Sequence, residues 1–331
     1  MRRTAAAAAL LAAAVLLAGC GDDGPTGTAT SSSDRPAAAG FPVTVTHKLG
    51  SVTIEREPQR VVALDFPSAD AVIALGTIPL GMYEVDYVEG GIQSWTKEAL
   101  GGERPELLKT TSGFPLEKIA ALRPDLIVAT NTYPLVADAY EELSAIAPVV
   151  AHVAAPGVDT WQQDTQLIGK ALGREQQAKE LVAAADGQVV GARRDHPEFR
   201  GATVSFFNYV AGDGLYVIHD EDDVSIKFFE ELGFSGVTDA VARLKGGDGR
   251  AQVSAERYDL LDAGVVVGTS PDPQALADLR ASRLFASIPA VERGAWVGLD
   301  IGPATAMAFP SVLSVPYAVD ALVPRLSAAM G

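Results

Sequence analysis

Two stretches of the chain share one pattern of apolar and polar positions. In residues 116–130 an amphipathic run ends at Pro124 and is followed by consecutive apolar residues; residues 255–269 repeat this order without a gap, with Gly264 at the break. Apolar residues spaced three and four apart predict a helix, whereas a short run that is apolar throughout predicts a strand buried on both faces. Each stretch is therefore predicted to be a helix followed by a parallel strand.

The segments around these stretches also recur in order. A strand candidate at residues 60–64 leads into a helix candidate that ends at Gly76, and a strand candidate at 202–207 leads into one that ends at Gly233. A further strand candidate follows at residues 295–299. Strands and helices alternate in both halves, which predicts an α/β fold of two Rossmann-like lobes, each a parallel sheet with helices on its faces.

A long polar stretch joins the two halves. Residues 159–195 are rich in Ala, Gln, Lys and Glu, carry apolar residues at helical spacing, and begin at Asp159 or Thr160, either of which can cap a helix. We expect one long backbone helix here, between an N-terminal ligand-binding lobe at 41–158 and a C-terminal one at 196–331. A single helical connection is stiff, so the expected hinge motion is small.

The N-terminus has the layout of an export signal. Two arginines precede an apolar run that is too short to be a membrane span, and a Leu-Ala-Gly-Cys box follows, containing Cys20, the single cysteine of the chain. Residues 1–19 are therefore interpreted as a signal peptide. Residues 20–40 are mostly Gly, Ser, Thr, Pro, Ala and Asp, lack the apolar residues that a core needs, and are interpreted as a disordered tether.

The chain is acidic. Its 331 residues carry a formal net charge of −16, and the predicted signal peptide contributes only positive charge, so the exported chain is more acidic still. This charge disfavours nucleic acid and anionic membrane surfaces as partners. Because Cys20 is the only cysteine, no disulfide can form within the chain, and the fold depends on core burial.

Several motifs taken in order resemble one family. The Leu-Ala-Gly-Cys box, the Pro-Gln-Arg-Val-Val-Ala-Leu run from Pro58, the turn at 74–81 and the run at 117–128 together resemble the solute-binding proteins of ATP-driven iron-siderophore uptake, which are class III periplasmic binding proteins. The resemblance extends from about Phe41 to the C-terminus. It implies two lobes joined by a backbone helix, an Fe(III)-siderophore held between them without chemical change, and no catalytic or covalent cofactor.

The resemblance also implies partners and a location. The cysteine box resembles the bacterial lipoprotein signal, which implies a lipid on Cys20 that alone anchors the protein to the extracytoplasmic face of the cell membrane. We expect the protein to be monomeric. In the family, one glutamate on each lobe pairs with arginines of the ABC transporter's permease subunits, and Glu117 and Glu256 match those positions. Acids are favoured in the first turn of any helix, so two ordinary helix starts are the alternative.

The predicted ligand residues follow the carboxyl ends of the predicted strands, where open α/β sheets bind their ligands. Aromatic and amide side chains there suit a bulky, partly apolar chelate. The predicted residues are Phe66, Tyr83, Glu84, Tyr87, Asn131, Tyr133, Phe207, Asn208 and Tyr209, and further candidates are Trp95, Arg243 and Met307. Each aromatic residue has the alternative of ordinary packing in the core, because aromatic side chains bury large areas wherever they lie.

The sequence argues against a directly bound metal. The acidic run from His219 to Asp223 lacks the ligand spacing and the glycine of a calcium loop and is interpreted as a solvated loop, and the other three histidines are scattered. Iron is therefore expected only inside its chelate. A ferric tris-catecholate would need cationic side chains, which the strand-end segments lack. A hydroxamate-type siderophore is favoured, unless one of four cations reaches the cleft: Lys97, Arg243, Lys245 or Arg250.

Three other functions stay open. A cobalamin or haem carrier would have the same fold. The alternative from another class is an anchored secreted α/β hydrolase, but the chain has no Gly-x-Ser-x-Gly elbow and the single cysteine belongs to the predicted anchor. A Rossmann-type dehydrogenase is disfavoured because no Gly-x-Gly-x-x-Gly motif follows the first predicted strand. No enzyme activity is therefore expected. A structural or adhesive surface protein would lack a ligand cleft.

Overall fold

The computed structural model of the protein describes residues 40–132, 135–155 and 158–331. The predicted signal peptide, Cys20 and all of the predicted tether except Gly40 lie outside the described residues, as does Tyr133. No helix among the described residues combines the length and the apolar character that crossing a bilayer requires.

The first half of the chain contains a two-stranded hairpin and a five-stranded sheet with its helices. In chain order the elements are β1 (Val43–His47), β2 (Gly50–Ile54), β3 (Val61–Ala63), α1 (Phe66–Ala74), β4 (Gly81–Tyr83), α2 (Ser94–Ala99), β5 (Glu106–Leu108), α3 (Leu116–Ala121), β6 (Leu126–Ala129), α4 (Leu135–Asp138), α5 (Tyr140–Ile146) and β7 (Val149–Ala151).

Two helices lead into the second half, which contains another five-stranded sheet. The elements are α6 (Trp161–Ala171), α7 (Glu175–Asp195), the 3₁₀ helix η1 (Pro197–Phe199), β8 (Val204–Val210), β9 (Gly214–Ile218), α8 (Val224–Leu232), α9 (Asp239–Ala242), β10 (Arg250–Val253), the 3₁₀ helix η2 (Ala255–Leu261), β11 (Val265–Thr269), α10 (Pro273–Ala281), α11 (Arg283–Ala286), α12 (Pro289–Glu292), β12 (Trp296–Leu299), α13 (Ile301–Ala308) and α14 (Ser314–Met330).

The two sheets have the same strand order. The first is β5-β4-β3-β6-β7 and the second is β10-β9-β8-β11-β12, so each strand of the first has its counterpart five strands later. In the repeated stretches, β6 pairs in parallel with β3, and β11 pairs in parallel with β8. The predicted α/β fold with two similar lobes is therefore confirmed. The predicted lobe boundaries at 41–158 and 196–331 stay a prediction.

The second sheet departs from the all-parallel prediction. Its strands β8, β11 and β12 are parallel, but β9 is antiparallel to both β8 and β10. The cause is a tight turn containing Gly212, which adopts a φ of +79°. That turn reverses the chain directly after β8 and forms a hairpin where a helical crossover would have given a parallel neighbour.

The connection predicted as one helix at 159–195 consists of two helices. The side chain of Thr160 accepts a hydrogen bond from the backbone N–H of Gln163 and caps α6. The chain then turns at Gly173, whose φ is +68° and where an added Cβ would lie 2.5 Å from Cε2 of Phe41. Because only glycine fits this turn, the helix breaks there. Helix α7, with 21 residues and a length of about 31 Å, is the long connecting helix.

The second repeat was also expected to begin with an α-helix, but its helix η2 is of the 3₁₀ type. Side chains three residues apart eclipse each other in a 3₁₀ helix. Tyr258 and Leu261 have this spacing and are both buried, so the tighter helix places both in the core.

The hydrophobic core runs through both lobes. In β3, Val61 and Ala63 belong to a cluster that continues through α6 and α7 to the second sheet and α14, while Val62 and Leu64 face a smaller cluster with α3 and α5. The alternation follows from the strand geometry, which points successive side chains to opposite faces. A continuous packed cluster resists relative movement of the lobes, and the small hinge motion expected from the sequence stays a prediction.

Candidate functional site

A cavity of about 360 Å³ lies at the carboxyl ends of the first sheet. We call it the aromatic chamber. It is lined by Phe66 after β3, Tyr83 at the end of β4, Tyr87, Thr110 after β5, Asn131 after β6, and Phe309 from the second half. This is the edge at which parallel α/β sheets bind ligands.

Asp65 organises the floor of the aromatic chamber. It caps α1 and accepts hydrogen bonds from the backbone N–H of Ser68 at 2.7 Å and of Asn131 at 3.1 Å. The Ser68 hydroxyl also donates to Asp65 at 2.9 Å. Burial raises the pKa of Asp65, and these hydrogen bonds oppose the rise. The carboxyl group thereby ties the ends of β3 and β6 together and holds Asn131 beside Phe66.

Three aromatic rings form the wall of the chamber. The ring of Phe66 lies 6.1 Å from that of Tyr83 and meets the ring of Phe309 edge-on at 5.1 Å. Partial burial raises the pKa of Tyr83 and of Tyr87, so both hydroxyl groups stay protonated and can donate hydrogen bonds. The chamber therefore offers flat apolar faces together with a few polar groups, namely hydroxyls, an amide and the buried carboxyl group of Asp65.

A second cavity, of about 610 Å³, adjoins the first. We call it the helical chamber because its walls come from the start of α6, the outer face of α8 and the loop after α13. Asn131 and Phe309 line both chambers. Trp161, Phe228 and Met307 provide buried apolar walls. The two chambers thus form one interlobe cleft divided by the ring of Phe309.

A buried carboxylate, Asp70, fixes the loop that carries Phe309. It accepts hydrogen bonds from Trp95 Nε1 at 2.8 Å, Thr96 Oγ1 at 2.6 Å and Ser311 Oγ at 2.5 Å. Burial raises the pKa of Asp70 to about 6, although all three hydrogen bonds act to lower it. Ser311 belongs to the second half of the chain and the other residues to the first, so this network joins the lobes beside the cleft.

Five of the predicted ligand residues line the cleft. Phe66, Tyr83, Tyr87 and Asn131 lie in the aromatic chamber, Asn131 also borders the helical chamber, and Met307 lines the helical chamber. The rule that ligands bind at the carboxyl ends of the strands selected all of these except Met307, because each of the others follows or ends a strand of the first sheet.

Four other predicted ligand residues lie elsewhere. Phe207 is fully buried and packs between Phe285 and Trp296, because alternation along β8 points it into the core. Trp95 is buried against Asp70 and Tyr317. Glu84 forms an ion pair with Lys109, with 3.5 Å between Oε1 and Nζ. The exposed Arg243 forms an ion pair with Asp239 of the same short helix, with 3.0 Å between Nη2 and Oδ2. These positions correct the prediction for all four.

The predicted residues of β8 lie apart from both chambers. Tyr209 borders a third cavity, of about 500 Å³, together with Tyr258 at the carboxyl ends of β8 and β10. Asn208 is half-buried, and its Oδ1 has no hydrogen-bond partner among the described residues. Tyr133 lies outside the described residues.

Phe309 was missed by the sequence prediction. It follows a helix and not a strand, so the carboxyl-end rule did not select it, and only the path of α13 and α14 brings it to Phe66. A signal was present, since the Phe309-Pro310 pair ends the helix and exposes a large aromatic residue.

The described residues hold no group of three or more His, Cys, Asp or Glu side chains suited to a metal ion. Neither chamber is lined by a histidine or cysteine among the described residues. Such a lining suits reversible binding of a large apolar guest. Glu117 and Glu256 are exposed, in the first turns of α3 and η2.

A family model described as periplasmic binding protein matches residues 91–300, which is well over half of the chain. The chain belongs to the periplasmic binding protein family. The resemblance stated from the sequence is thus confirmed, and the two-lobed fold is that of the family. Within it, the chain is 26% identical over 291 residues to the ferric enterobactin-binding periplasmic protein FepB of Escherichia coli, covering 81% of this chain and 86% of the relative.

Other members show the same likeness. The probable siderophore-binding lipoprotein YfiY of Bacillus subtilis is 27% identical over 216 residues, covering 62% of this chain and 61% of the relative. A crystal structure of a periplasmic solute-binding protein from Mycobacterium smegmatis superposes with a TM-score of 0.74 at 29% identity, covering 87% of this chain and 99% of the other. Streptococcus pneumoniae PiaA in complex with ferrichrome shares the fold with a TM-score of 0.68 at 24% identity, covering 87% and 98%.

Proposed function

We propose that the protein captures a ferric siderophore between its two lobes outside the cytoplasm and delivers it to an ABC importer. The observation that carries the proposal is the aromatic chamber at the carboxyl ends of the first sheet, adjoining a second chamber between the lobes. Several relatives are named for ferric chelates, among them enterobactin, anguibactin and dicitrate. The family membership and the flat apolar rings of the lining support binding without catalysis.

The type of siderophore is inferred from charge. No arginine or lysine among the described residues lines the aromatic chamber. A chelate with several negative charges would leave water there without compensating cations, which costs free energy. We therefore favour a hydroxamate-type chelate, which is neutral or cationic. The relatives' names do not decide this point, because they span several ligands.

Binding can be tested by titrating tryptophan fluorescence with ferrichrome, a ferric tris-catecholate, cobalamin and haem. We expect saturable quenching by the hydroxamate chelate. Tyr87→Ala should weaken that binding by about tenfold or more, because an exposed aromatic wall of the aromatic chamber is lost. Tyr216→Ala is the control, since Tyr216 lies on β9 and bonds to the exposed Asp213. A flat response to all four compounds would refute the proposal.

We further propose that Glu117 and Glu256 dock the carrier to arginines of the permease subunits, and that a lipid on Cys20 holds it at the membrane. The exposure of both glutamates at matching places of the repeat supports the docking role. Two separated carboxylates can fix the orientation of a partner. The division into a signal at 1–19, a tether at 20–40, lobes at 41–158 and 196–331 and a connection at 159–195 belongs to the same proposal.

The docking role is tested by uptake of labelled ferric siderophore in cells carrying Glu117→Ala together with Glu256→Ala. Uptake should be lost while the dissociation constant of the purified protein stays unchanged. Glu141→Ala is the control, because Glu141 is also an acid in the first turn of an exposed helix, α5. Equal loss of uptake in the control, or weaker ligand binding in the double variant, would show that the two glutamates have an ordinary helix-start role.

A further inference from the structure

The helical chamber shares lining residues with the aromatic chamber but differs from it in chemistry. Asn131 and Phe309 line both, so a guest seated against Phe66 and Tyr83 lies within reach of the second cavity. The ring of Phe309 is 44% exposed and stands between the two. The volume of about 610 Å³ exceeds that of the aromatic chamber. A chelate that fills the first chamber can therefore extend an arm into the second.

The walls of the helical chamber suit a methylene chain. Trp161, Phe228, Met307 and Val315 line it and are buried, and Pro310 adds a further apolar surface. Burying methylene groups against such walls stabilises a complex, because apolar surface is removed from water. The indole face of Trp161 can also attract a cation.

The charges of the chamber leave an excess of carboxylates. Four acids line it against two cations, Lys227 and Arg193. Lys227 is already neutralised, because its Nζ lies 3.3 Å from Asp222 Oδ1 and 3.2 Å from Glu230 Oε2. The two remaining lining acids are Asp159 and Glu231.

Glu231, an exposed residue of α8, is the lining acid that makes no ion pair and accepts no hydrogen bond among the described residues, and Arg193 likewise makes no ion pair there. Partial desolvation, together with the nearby charge of Asp186, raises the pKa of Glu231. Asp159, in contrast, accepts hydrogen bonds from the backbone N–H groups of Val153 at 2.5 Å and Ala154 at 3.0 Å. A cation placed beside Glu231 would offset both destabilising effects, whereas an anion would add to them.

We propose that the helical chamber holds a cationic arm of the bound chelate, an alkylammonium group on a methylene chain whose charge lies beside Glu231. This inference rests on the proposed function, since it names the ligand class of the same cleft. It makes Glu231 a specificity-determining residue that distinguishes a cationic chelate from a neutral one of similar size.

The test compares three ferric trihydroxamates: ferrioxamine B with its terminal ammonium, the N-acetylated derivative with the same chain but no charge, and ferrichrome with no such arm. We expect the full chain to bind ferrioxamine B about tenfold more tightly than its acetylated form. Glu231→Gln should abolish this difference and leave the ferrichrome dissociation constant unchanged. Glu221→Gln, an exposed acid that does not line the chamber, should behave as wild type.

The outcomes separate this inference from the proposed function. If none of the three chelates binds, the hydroxamate assignment fails and this inference with it, while the titration with the tris-catecholate, cobalamin and haem still decides the carrier function. If all bind and acetylation changes nothing, the carrier function stands and the cationic-arm inference is wrong. If Glu231→Gln weakens binding of all three equally, the residue has a structural role and the inference is likewise overturned. A tenfold preference of the wild type for ferrioxamine B over its acetylated form, which falls as salt rises and is absent in Glu231→Gln, would support the inference.

Discussion

Removing the hydroxyl group of Ser311 should destabilise the protein by several kcal/mol. Ser311 Oγ donates to the buried carboxylate of Asp70 at 2.5 Å and accepts hydrogen bonds from the backbone N–H groups of Ser314 at 2.9 Å and Leu313 at 3.2 Å. Among the described residues, this hydroxyl group is the only side-chain group of the second half that bonds to Asp70. It also caps the start of α14 by accepting hydrogen bonds from two backbone N–H groups there.

The magnitude follows from these contacts. Losing a hydrogen bond to a buried charged group costs about 1.5–3 kcal/mol, and losing a helix cap costs about 1 kcal/mol. Ser311→Ala should therefore reduce the free energy of unfolding by about 2.5–4 kcal/mol near neutral pH. Asp70 has a pKa of about 6, so it becomes neutral in more acidic solution and accepts a weaker hydrogen bond. The cost of the substitution should accordingly be smaller at about pH 5 than at about pH 7.5.

The assay is urea unfolding followed by tryptophan fluorescence, which reports on Trp95 within the network. Ser287→Ala is the matched control, because its exposed hydroxyl only donates to the backbone carbonyl of Leu284 at 2.8 Å. The control should change the unfolding free energy by less than about 0.5 kcal/mol. A Ser311→Ala effect as small as the control's, or one that grows on acidification, would refute the assigned role of Asp70.

Three further predictions test the fold. Gly173→Ala should lower the melting temperature, because the φ of +68° and the 2.5 Å approach of Phe41 oppose a Cβ atom at this position. Gly187→Ala within α7 should raise the melting temperature, because alanine has the better helix propensity. Equal changes in melting temperature for the two variants would contradict the assigned role of Gly173. Burial, followed by the charges of Asp65 and Asp159, raises the pKa of Asp164 to about 8. The native protein therefore keeps a proton on Asp164 that the unfolded chain releases near pH 4, so the free energy of unfolding of the wild type falls as the pH rises from about 4 to about 8. The free energy of unfolding of Asp164→Asn, measured by urea unfolding, should increase relative to that of the wild type by up to about 1.4 kcal/mol per pH unit over this range. Parallel pH profiles would count against it. Phe285→Ala should cost about 3–5 kcal/mol, because its fully buried ring touches Phe207, Tyr258 and Trp296, and a loss below about 1 kcal/mol would contradict the packing described.

The parts of the fold that depend on local patterns were predictable. The strands β6 and β11 are short apolar runs after a helix break, and this pattern predicted both. The β8–β9 hairpin was missed, although the Gly212-Asp213-Gly214 run between two aromatic and β-branched segments is a turn signal. The break at Gly173 depends on Phe41, more than a hundred residues away, and no local pattern reports that contact.

The cleft was predictable where it follows the strand-end rule and not elsewhere. Phe66, Tyr83 and Asn131 end or follow strands of the first sheet, so the rule found them. Phe309 reaches the cleft through the packing of α13 and α14 and through the bond from Ser311 to Asp70, which are tertiary contacts. Phe207 was wrongly selected because the rule does not say which face of the strand end a side chain occupies.

The continuous core through both lobes, together with α7, has a consequence for traffic at the transporter. We expect a carrier whose halves are packed through shared side chains to change shape little on loading, and its empty and loaded forms to present nearly the same outer surface. Empty copies should then compete with loaded copies for the same importer. Net import would depend on the fraction of carriers that are filled, and overproducing the carrier when iron is scarce should slow uptake.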